Sequence, residues 1–198
     1  MTPHRSIRLS TVLATWSLMT ALLSACGGGA EDTSATTDMT AQSTAGTATE
    51  ADRVAVGDLL SHDTRLSAAG NLACASCHVQ ARGHADADGV FLPLGGPGLD
   101  QPGLRSSATL DYLNDNRAFA FDDQGRPSGG FTWDGRADSR AAQALGPLLA
   151  ANEMAHAISA AVVVRVRTLP YFGQLLTASA LGTTASDAQV LQALQTAL

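Results

Sequence analysis

The sequence predicts a mainly α-helical domain whose helices are separated by one long loop rich in Gly and Pro. Apolar residues recur at helical spacing in several segments, and no segment shows a convincing strand alternation. Residues 82–130 are rich in Gly, Pro and Asp, which predicts mostly loop. A structureless stretch of that length is uncommon in a small domain unless it wraps something. We therefore expect the loop to enclose a bound group.

Residues 1–26 are predicted to be a lipoprotein-type signal peptide. A short basic segment precedes an apolar run from Thr11 to Leu23, which is too short for an ordinary transmembrane helix and is typical of a secretory signal. The run ends in Leu-Ser-Ala-Cys, which resembles the lipobox of bacterial lipoproteins, with Cys26 as the lipidated residue. We expect a lipid-anchored protein of the periplasm or cell envelope, in contact with the membrane only through this anchor. The alternative is a freely cleaved signal with an incidental Cys.

Residues 27–51 are predicted to be a disordered tether, because they contain almost no large apolar side chain to offset the entropy of ordering. The remaining residues, 52–198, are enough for one modest domain. The chain has no Lys, and past Cys26 it has 10 Arg against 18 acidic residues, a formal charge of −8. This charge argues against a nucleic-acid partner. An acidic surface could attract a basic redox protein, although a solvated acidic face is the commoner explanation.

Five helical segments are predicted in the folded part. In chain order they are residues 54–60, a turn at 74–77, residues 138–145, residues 157–169 and a C-terminal helix after Ser186. Gly146-Pro147 and Pro170 are expected to stop the third and fourth segments. The last segment opens with a capping box from Ser186 to Gln189. It carries four apolar residues on one face, which are Val190, Leu191, Leu194 and Leu198.

Cys74-Ala75-Ser76-Cys77-His78 forms one C-x-x-C-H unit, the spacing of a c-type haem attachment site. Two thiols three residues apart lie on one face of a helical turn, where each can form a thioether to a vinyl group of the porphyrin. His78 then ligates the iron, and its second ring nitrogen is expected to donate to a backbone carbonyl. Zinc would need a second pair of ligands, and a thioredoxin-like pair would need a βαβ context. The pattern therefore predicts one covalent haem c in a cytochrome c-like haem domain with long Gly/Pro-rich loops.

Further motifs follow one another in a fixed order along the chain. They are Leu66-Ser67, the segment Gly-Gly-Phe-Thr-Trp-Asp-Gly-Arg-Ala at 129–137, Gln143, Gly146-Pro147 and Asn152-Glu153-Met154. In this order and spacing the chain resembles the bacterial di-haem cytochrome c peroxidases, a group that includes the MauG-like proteins. The resemblance covers about residues 52–182, which correspond to the first, peroxidatic haem domain of that family.

The resemblance implies a role for each matching residue. His78 matches the proximal ligand of the peroxidatic haem, Glu153 the distal acid-base residue and Gln143 its hydrogen-bonding neighbour. Trp133 matches the aromatic residue between the two haems of the family. Heterolytic cleavage of an O–O bond needs a proton moved from one oxygen to the other, which a single carboxylate can do. The implied activity is reduction of hydrogen peroxide, with electrons from a small cytochrome or cupredoxin.

The sequence departs from the family pattern at two places. The loop that usually carries an iron-capping His reads Leu-Pro-Leu-Gly-Gly at 92–96 and has none. His156, beside Glu153, is an alternative ligand, although a surface His is the default, and His84 is expected to be a polar loop residue. Arg-Ser-Ser-Ala-Thr at 105–109 replaces the usual Arg-Asn-x-Pro-Thr, whose Asn touches a calcium ion, so Ca²⁺ binding is left open.

Two alternatives remain at this point. One is a non-enzymatic single-haem electron carrier, for which Met154 is the only candidate Met ligand after the haem motif. The other concerns how much of the protein this chain represents. The family has two haems and this chain has one C-x-x-C-H motif, so we expect the chain to be the first half of a longer di-haem protein. We also expect the apolar face of the last helix to need a partner outside this chain, the alternative being a short paralogue that forms a homodimer. The electron donor, the haem potential and MauG-like oxidation of a partner protein are left open.

Overall fold

The computed structural model of the protein describes residues 47–86 and 91–198. The predicted signal peptide, Cys26 and the predicted tether up to residue 46 lie outside the described residues. Within the described ranges, no helix combines the length and the apolar composition that a bilayer crossing requires.

The described chain is mainly helical, which confirms the predicted fold class. Its α-helices are α1 Glu50–His62, α2 Cys74–Cys77, α3 Arg140–Leu149, α4 Ser159–Arg167, α5 Phe172–Ala178 and α6 Asp187–Ala197. Short 3₁₀ turns lie at Thr64–Leu66, Gln80–Arg82 and Leu113–Asp115. Two antiparallel hairpins pair β1 Leu94–Gly95 with β2 Gln101–Pro102, and β3 Ala120–Phe121 with β4 Pro127–Ser128. Apart from these short elements, the described residues between α2 and α3 form the predicted long loop.

One hydrophobic core lies among α1 and α3 to α6. Its most completely buried side chains include Leu60, Val162, Val166, Val190 and Leu194. Burying each such side chain stabilises the fold by about 1.5–3 kcal/mol. The two Cys side chains of α2 pack against this core, so the core supports the turn that carries the C-x-x-C-H unit.

The apolar face of α6 packs inside this domain. Val190 and Leu194 are fully buried, and Leu191 and Leu198 pack partly buried against the same core. The expectation that this face needs a partner outside the chain is therefore wrong. The predicted capping box is confirmed, because the Gln189 amide donates to Ser186 Oγ at 3.3 Å and the Ser186 amide donates to Gln189 Oε1 at 2.9 Å.

The largest differences from the predicted helix boundaries are at the start of α1 and the end of α3. α1 begins at Glu50, two residues inside the predicted tether, because Thr49 forms a capping box with Asp52. α3 continues through Gly146 and Pro147, so the predicted stop there is wrong. Pro147 removes one helical donor, but it lies in the last turn, and burial of the neighbouring leucine outweighs the loss. α5 was not predicted.

Candidate haem-binding site

One cavity of about 450 Å³ brings together the residues predicted for the site. Its lining includes Cys74, Cys77, His78, Trp133, Gln143 and Glu153. An apolar wall is provided by side chains that include Leu72, Leu94, Leu110, Leu113 and Leu148. Residues 103–108 of the long loop also line it, so the loop encloses this space as expected. The volume lies in the range usual for small-molecule and cofactor sites.

His78 is oriented by a hydrogen bond behind its ring. Its Nδ1 lies 2.9 Å from the backbone carbonyl oxygen of His84. A carbonyl can only accept, so Nδ1 carries the proton and Nε2 keeps a lone pair for a metal. This is the second-nitrogen bond that a ligating His is expected to make.

The thiols of α2 are held in their protonated form. Burial raises the pKa of the Cys74 thiol to about 11. Burial also raises the pKa of the Cys77 thiol, and the negative charge of Glu153 adds to the effect. In redox-active C-x-x-C pairs the attacking thiol has a lowered pKa. The opposite shift here disfavours the thioredoxin-like alternative.

The cavity-lining face of α3 is set by helical spacing. Arg140, Gln143, Ala144, Pro147 and Leu148 line the cavity, and their spacing places them on one side of the helix. The helix begins where Ser139 accepts a hydrogen bond from the Ala142 amide at 3.1 Å. Gln143 is half-buried on this face, one helical turn before Pro147. Its amide side chain is therefore available to a molecule in the cavity.

Glu153 lies in the turn that follows α3. Its amide donates to the Ala150 carbonyl at 3.0 Å, and its own carbonyl accepts from the Gly96 amide at 2.8 Å. Burial raises the pKa of the Glu153 carboxyl, and the positive charge of Arg136 acts in the opposite direction. A carboxyl with a raised pKa is suited to take up and release a proton closer to neutral pH.

The residues after Glu153 are anchored in the domain core. Met154 lines one side of the cavity, but it is 3% exposed and packs in the core, and its carbonyl accepts from the Ala68 amide at 2.9 Å. His156 is 4% exposed, does not line the cavity, and donates from Nε2 to the Leu66 carbonyl at 2.8 Å. The expectation of a stand-in iron ligand at His156 is therefore wrong, and so is the default of a surface His.

Trp133 is presented at the tip of a tight loop. Phe131 and Ala137 pair at its base, with N–H to carbonyl distances of 2.9 and 3.2 Å. Gly130 has φ +85°, and a Cβ there would lie 2.5 Å from the Gly135 Cα, so only Gly fits. The Trp133 side chain donates from Nε1 to the Ser106 carbonyl at 3.1 Å, yet the residue is 63% exposed.

The chemistry of the lining fits haem c. It contains two protonated thiols, one imidazole with a free nitrogen, an apolar wall and three arginines, which are Arg105, Arg136 and Arg140. Guanidinium groups are well matched to carboxylates such as the two propionates of haem. Among residues 47–86 and 91–198, no group of three or more His, Cys, Asp or Glu side chains could hold a metal ion.

Three residues behind the haem motif were not assigned to the site from the sequence. His84 is a polar loop residue, as expected, but its carbonyl orients His78 and its ring Nδ1 lies 2.9 Å from Asp111 Oδ1. Thr109 Oγ1 donates to the Gly83 carbonyl. No periodicity or motif links residues 83–84 to residues 109–111, so sequence spacing carried no indication of this contact.

The helical fold and the cavity around the C-x-x-C-H turn define a cytochrome c-type haem protein. The family model for di-haem cytochrome c peroxidases matches residues 51–196, and the chain belongs to that family, whose cofactor is haem c. The methylamine utilization protein MauG of Paracoccus denitrificans is 38% identical over 122 residues, which are 60% of this chain and 31% of that protein. MauG of Methylorubrum extorquens is 34% identical over 124 residues, 63% of this chain and 30% of that protein.

A solved structure shares the fold. The diheme peroxidase BthA of Burkholderia thailandensis superimposes with a TM-score of 0.65 at 28% identity, over 73% of this chain and 36% of that chain. The chain thus spans about a third of the length of the curated relatives it matches.

Proposed function

We propose that this chain forms the peroxidatic haem c domain of a hydrogen peroxide reductase that takes electrons from a small cytochrome or cupredoxin. The reaction consumes one hydrogen peroxide, two electrons and two protons, and it yields two waters. The observation that carries the proposal is the shared cavity, because Glu153 and Gln143 line the same space as the C-x-x-C-H unit.

Three residues would hold the cofactor. Cys74 and Cys77 would form its thioethers, and His78 would ligate the iron through Nε2, the nitrogen left available by the bond to His84. Bound haem would supply the redox centre at which the O–O bond is reduced.

Glu153 would move the proton that bond cleavage requires. Its carboxylate accepts a proton from one peroxide oxygen and returns it to the other, and its raised pKa makes proton uptake easier than for an exposed carboxylate. Gln143 would donate a hydrogen bond that steadies the peroxide without adding charge. The apolar wall lowers the local dielectric, which strengthens both interactions.

The electron-carrier alternative is disfavoured by the positions of two side chains. Met154 lines the cavity, but its side chain is 3% exposed and already packed among core side chains. His156 already donates its Nε2 proton to Leu66. A second axial ligand from either residue would break packing or a buried hydrogen bond.

The remaining roles rest on the resemblance and on the N-terminal sequence. Trp133 would relay electrons from a second haem of a longer di-haem protein to the haem held here, and its exposed ring is compatible with that role. Lipidation at Cys26 would hold the protein at the cell envelope. As a MauG-like protein, it could oxidise a partner protein in place of a small redox donor.

An optical spectrum and a stoichiometry test the proposal. The haem-loaded full chain should show a high-spin ferric spectrum that changes on addition of peroxide, with two equivalents of reduced cytochrome or cupredoxin oxidised per peroxide. A low-spin spectrum unchanged by peroxide would support the electron carrier. Peroxide consumed without oxidation of a small donor would direct the search to a protein substrate.

A further inference from the structure

His84 has a backbone conformation that few residues other than Gly adopt. Its φ is +56°, in the left-handed region, where a non-Gly residue persists only if its surroundings hold it. Its amide donates to the Val79 carbonyl at 3.0 Å, and its carbonyl accepts the His78 Nδ1 proton at 2.9 Å. The orientation of the His78 ring therefore depends on the conformation of this one residue.

A distant segment of the long loop holds this conformation in place. Asp111 Oδ1 lies 2.9 Å from Nδ1 of the His84 ring. Thr109 Oγ1 donates to the carbonyl of Gly83, the preceding left-handed residue, and accepts from the Asp111 amide at 3.1 Å. Two consecutive left-handed residues are thus fixed from a segment 26 and 27 positions away along the chain.

We propose that Asp111 is a positioning residue for haem ligation, acting through His84 on the hydrogen bond of His78. This inference rests on the proposed attachment of haem at His78. A hydrogen bond from Nδ1–H raises the basicity of the ligating imidazole. A more basic ligand favours ferric over ferrous iron, so Asp111 lowers the reduction potential of the haem that His78 holds.

A purely structural role predicts a different result. The His84 and Asp111 side chains are 38% and 43% exposed, and exposed pairs of this kind contribute little to stability. Removing Asp111 should therefore leave the melting temperature close to that of the parent. A change in potential and in ligand-bond strength without a change in melting temperature separates positioning from stabilisation.

The test uses the haem-loaded full chain and its Asp111→Ala and Asp111→Asn variants. Haem content is first checked by staining. The midpoint potential of the haem and the iron–histidine stretching frequency of the ferrous form are then measured for each protein. Asp111→Ala should shift the potential upward and lower the stretching frequency. Asp111→Asn keeps an oxygen acceptor for the His84 ring and should restore both values. Asp115→Ala, which removes an exposed carboxylate from the same loop, is the matched control and should change neither.

Two results would overturn the inference while leaving the proposed function intact. The first is an Asp111→Ala protein that binds haem and has the same midpoint potential and iron–histidine stretching frequency as the parent. The second is an Asp111→Asn protein that shifts as far as Asp111→Ala, which would indicate a charge effect. A parent chain that never binds haem would overturn the proposed function and this inference together.

A second variant keeps the test decisive if Asp111→Ala does not fold. His84→Gly accepts the positive φ and removes only the ring, so it should shift both values in the same direction. Adding Asp111→Ala to His84→Gly should then change nothing further, because the two side chains act through one contact. An additional shift of similar size in the double variant would contradict the inference.

Discussion

Gly95 is the position at which one methyl group should displace the proposed acid-base residue. A Cβ at Gly95 would lie 2.9 Å from the Glu153 Cα and 3.0 Å from the Asn152 carbonyl carbon, with the Asn152 oxygen closer still. These are backbone atoms, so the hairpin and the turn would have to separate by roughly 0.5–1 Å to reach an ordinary carbon–carbon distance of about 3.5 Å. That separation would strain the 2.8 Å bond from the Gly96 amide to the Glu153 carbonyl.

We expect Gly95→Ala to lower both stability and peroxide turnover. Overpacking of this kind costs about 1–3 kcal/mol, and each kcal/mol lowers the melting temperature by about 2–4 °C in a domain of this size. A misplacement of about 1 Å at a reacting group can lower a rate by about a hundredfold. Thermal unfolding and steady-state peroxide reduction of the haem-loaded protein measure the two effects.

Gly173→Ala is the matched control, because nothing lies within 4 Å of the added methyl group and the position is helical. It should keep parental turnover and a melting temperature equal to or above that of the parent. A Gly95→Ala protein with parental melting temperature and turnover would show that the hairpin does not position Glu153.

Three further outcomes are expected. Glu153→Gln should lower peroxide turnover by about a hundredfold to ten-thousandfold at unchanged haem content, because it keeps the shape of the side chain and removes the proton carrier. Turnover within twofold of the parent would refute the role of Glu153. Glu50→Gln, at an exposed position of α1, is the control. Replacing Cys74 and Cys77 by Ala should abolish haem staining on denaturing gels and destabilise the fold. A parent protein that folds normally but never stains for haem would refute the haem assignment. Arg65 holds the pKa of Asp63 at about 2, below its usual 3.8, so this carboxylate stabilises the fold fully above about pH 4 and loses its effect as pH falls through 2. Asp63→Asn should therefore lower the melting temperature at neutral pH and flatten its decline in acid, and an acid profile parallel to that of the parent would contradict this.

Features that depend on neighbouring residues could be predicted from the sequence. The C-x-x-C-H turn and the capping box at Ser186 involve residues at most four positions apart, so their spacing is sufficient. The predicted stop of α3 was wrong because the end of this helix depends on contacts with residues that are not its neighbours in sequence. Pro147 does disfavour a helix locally, but the burial of Leu148 comes from α3 packing in the domain core, which local sequence does not encode.

Side chains whose partners are distant in sequence could not be assigned. His156 bonds to the carbonyl of Leu66, 90 positions earlier, so neither the surface role nor the ligand role considered for it was right. The contact between His84 and Asp111 spans 27 positions and involves no recognisable motif. Family resemblance supplied Glu153 and Gln143, and the fold brings both to one cavity, but their chemical roles stay predictions.

The anchoring of the Glu153 turn explains why a loop can carry a residue that must be held in place. A carboxylate in a turn is normally mobile, yet a proton carrier needs a position fixed to a fraction of an ångström. Here three contacts hold the turn. Met154 lies in the core next to Glu153, the His156 side chain is bonded to the Leu66 carbonyl, and the Gly96 amide is bonded to the Glu153 carbonyl. The buried His is thus better understood as an anchor of the turn than as an iron ligand, and the loop that lacks the usual capping His instead supplies the third anchor.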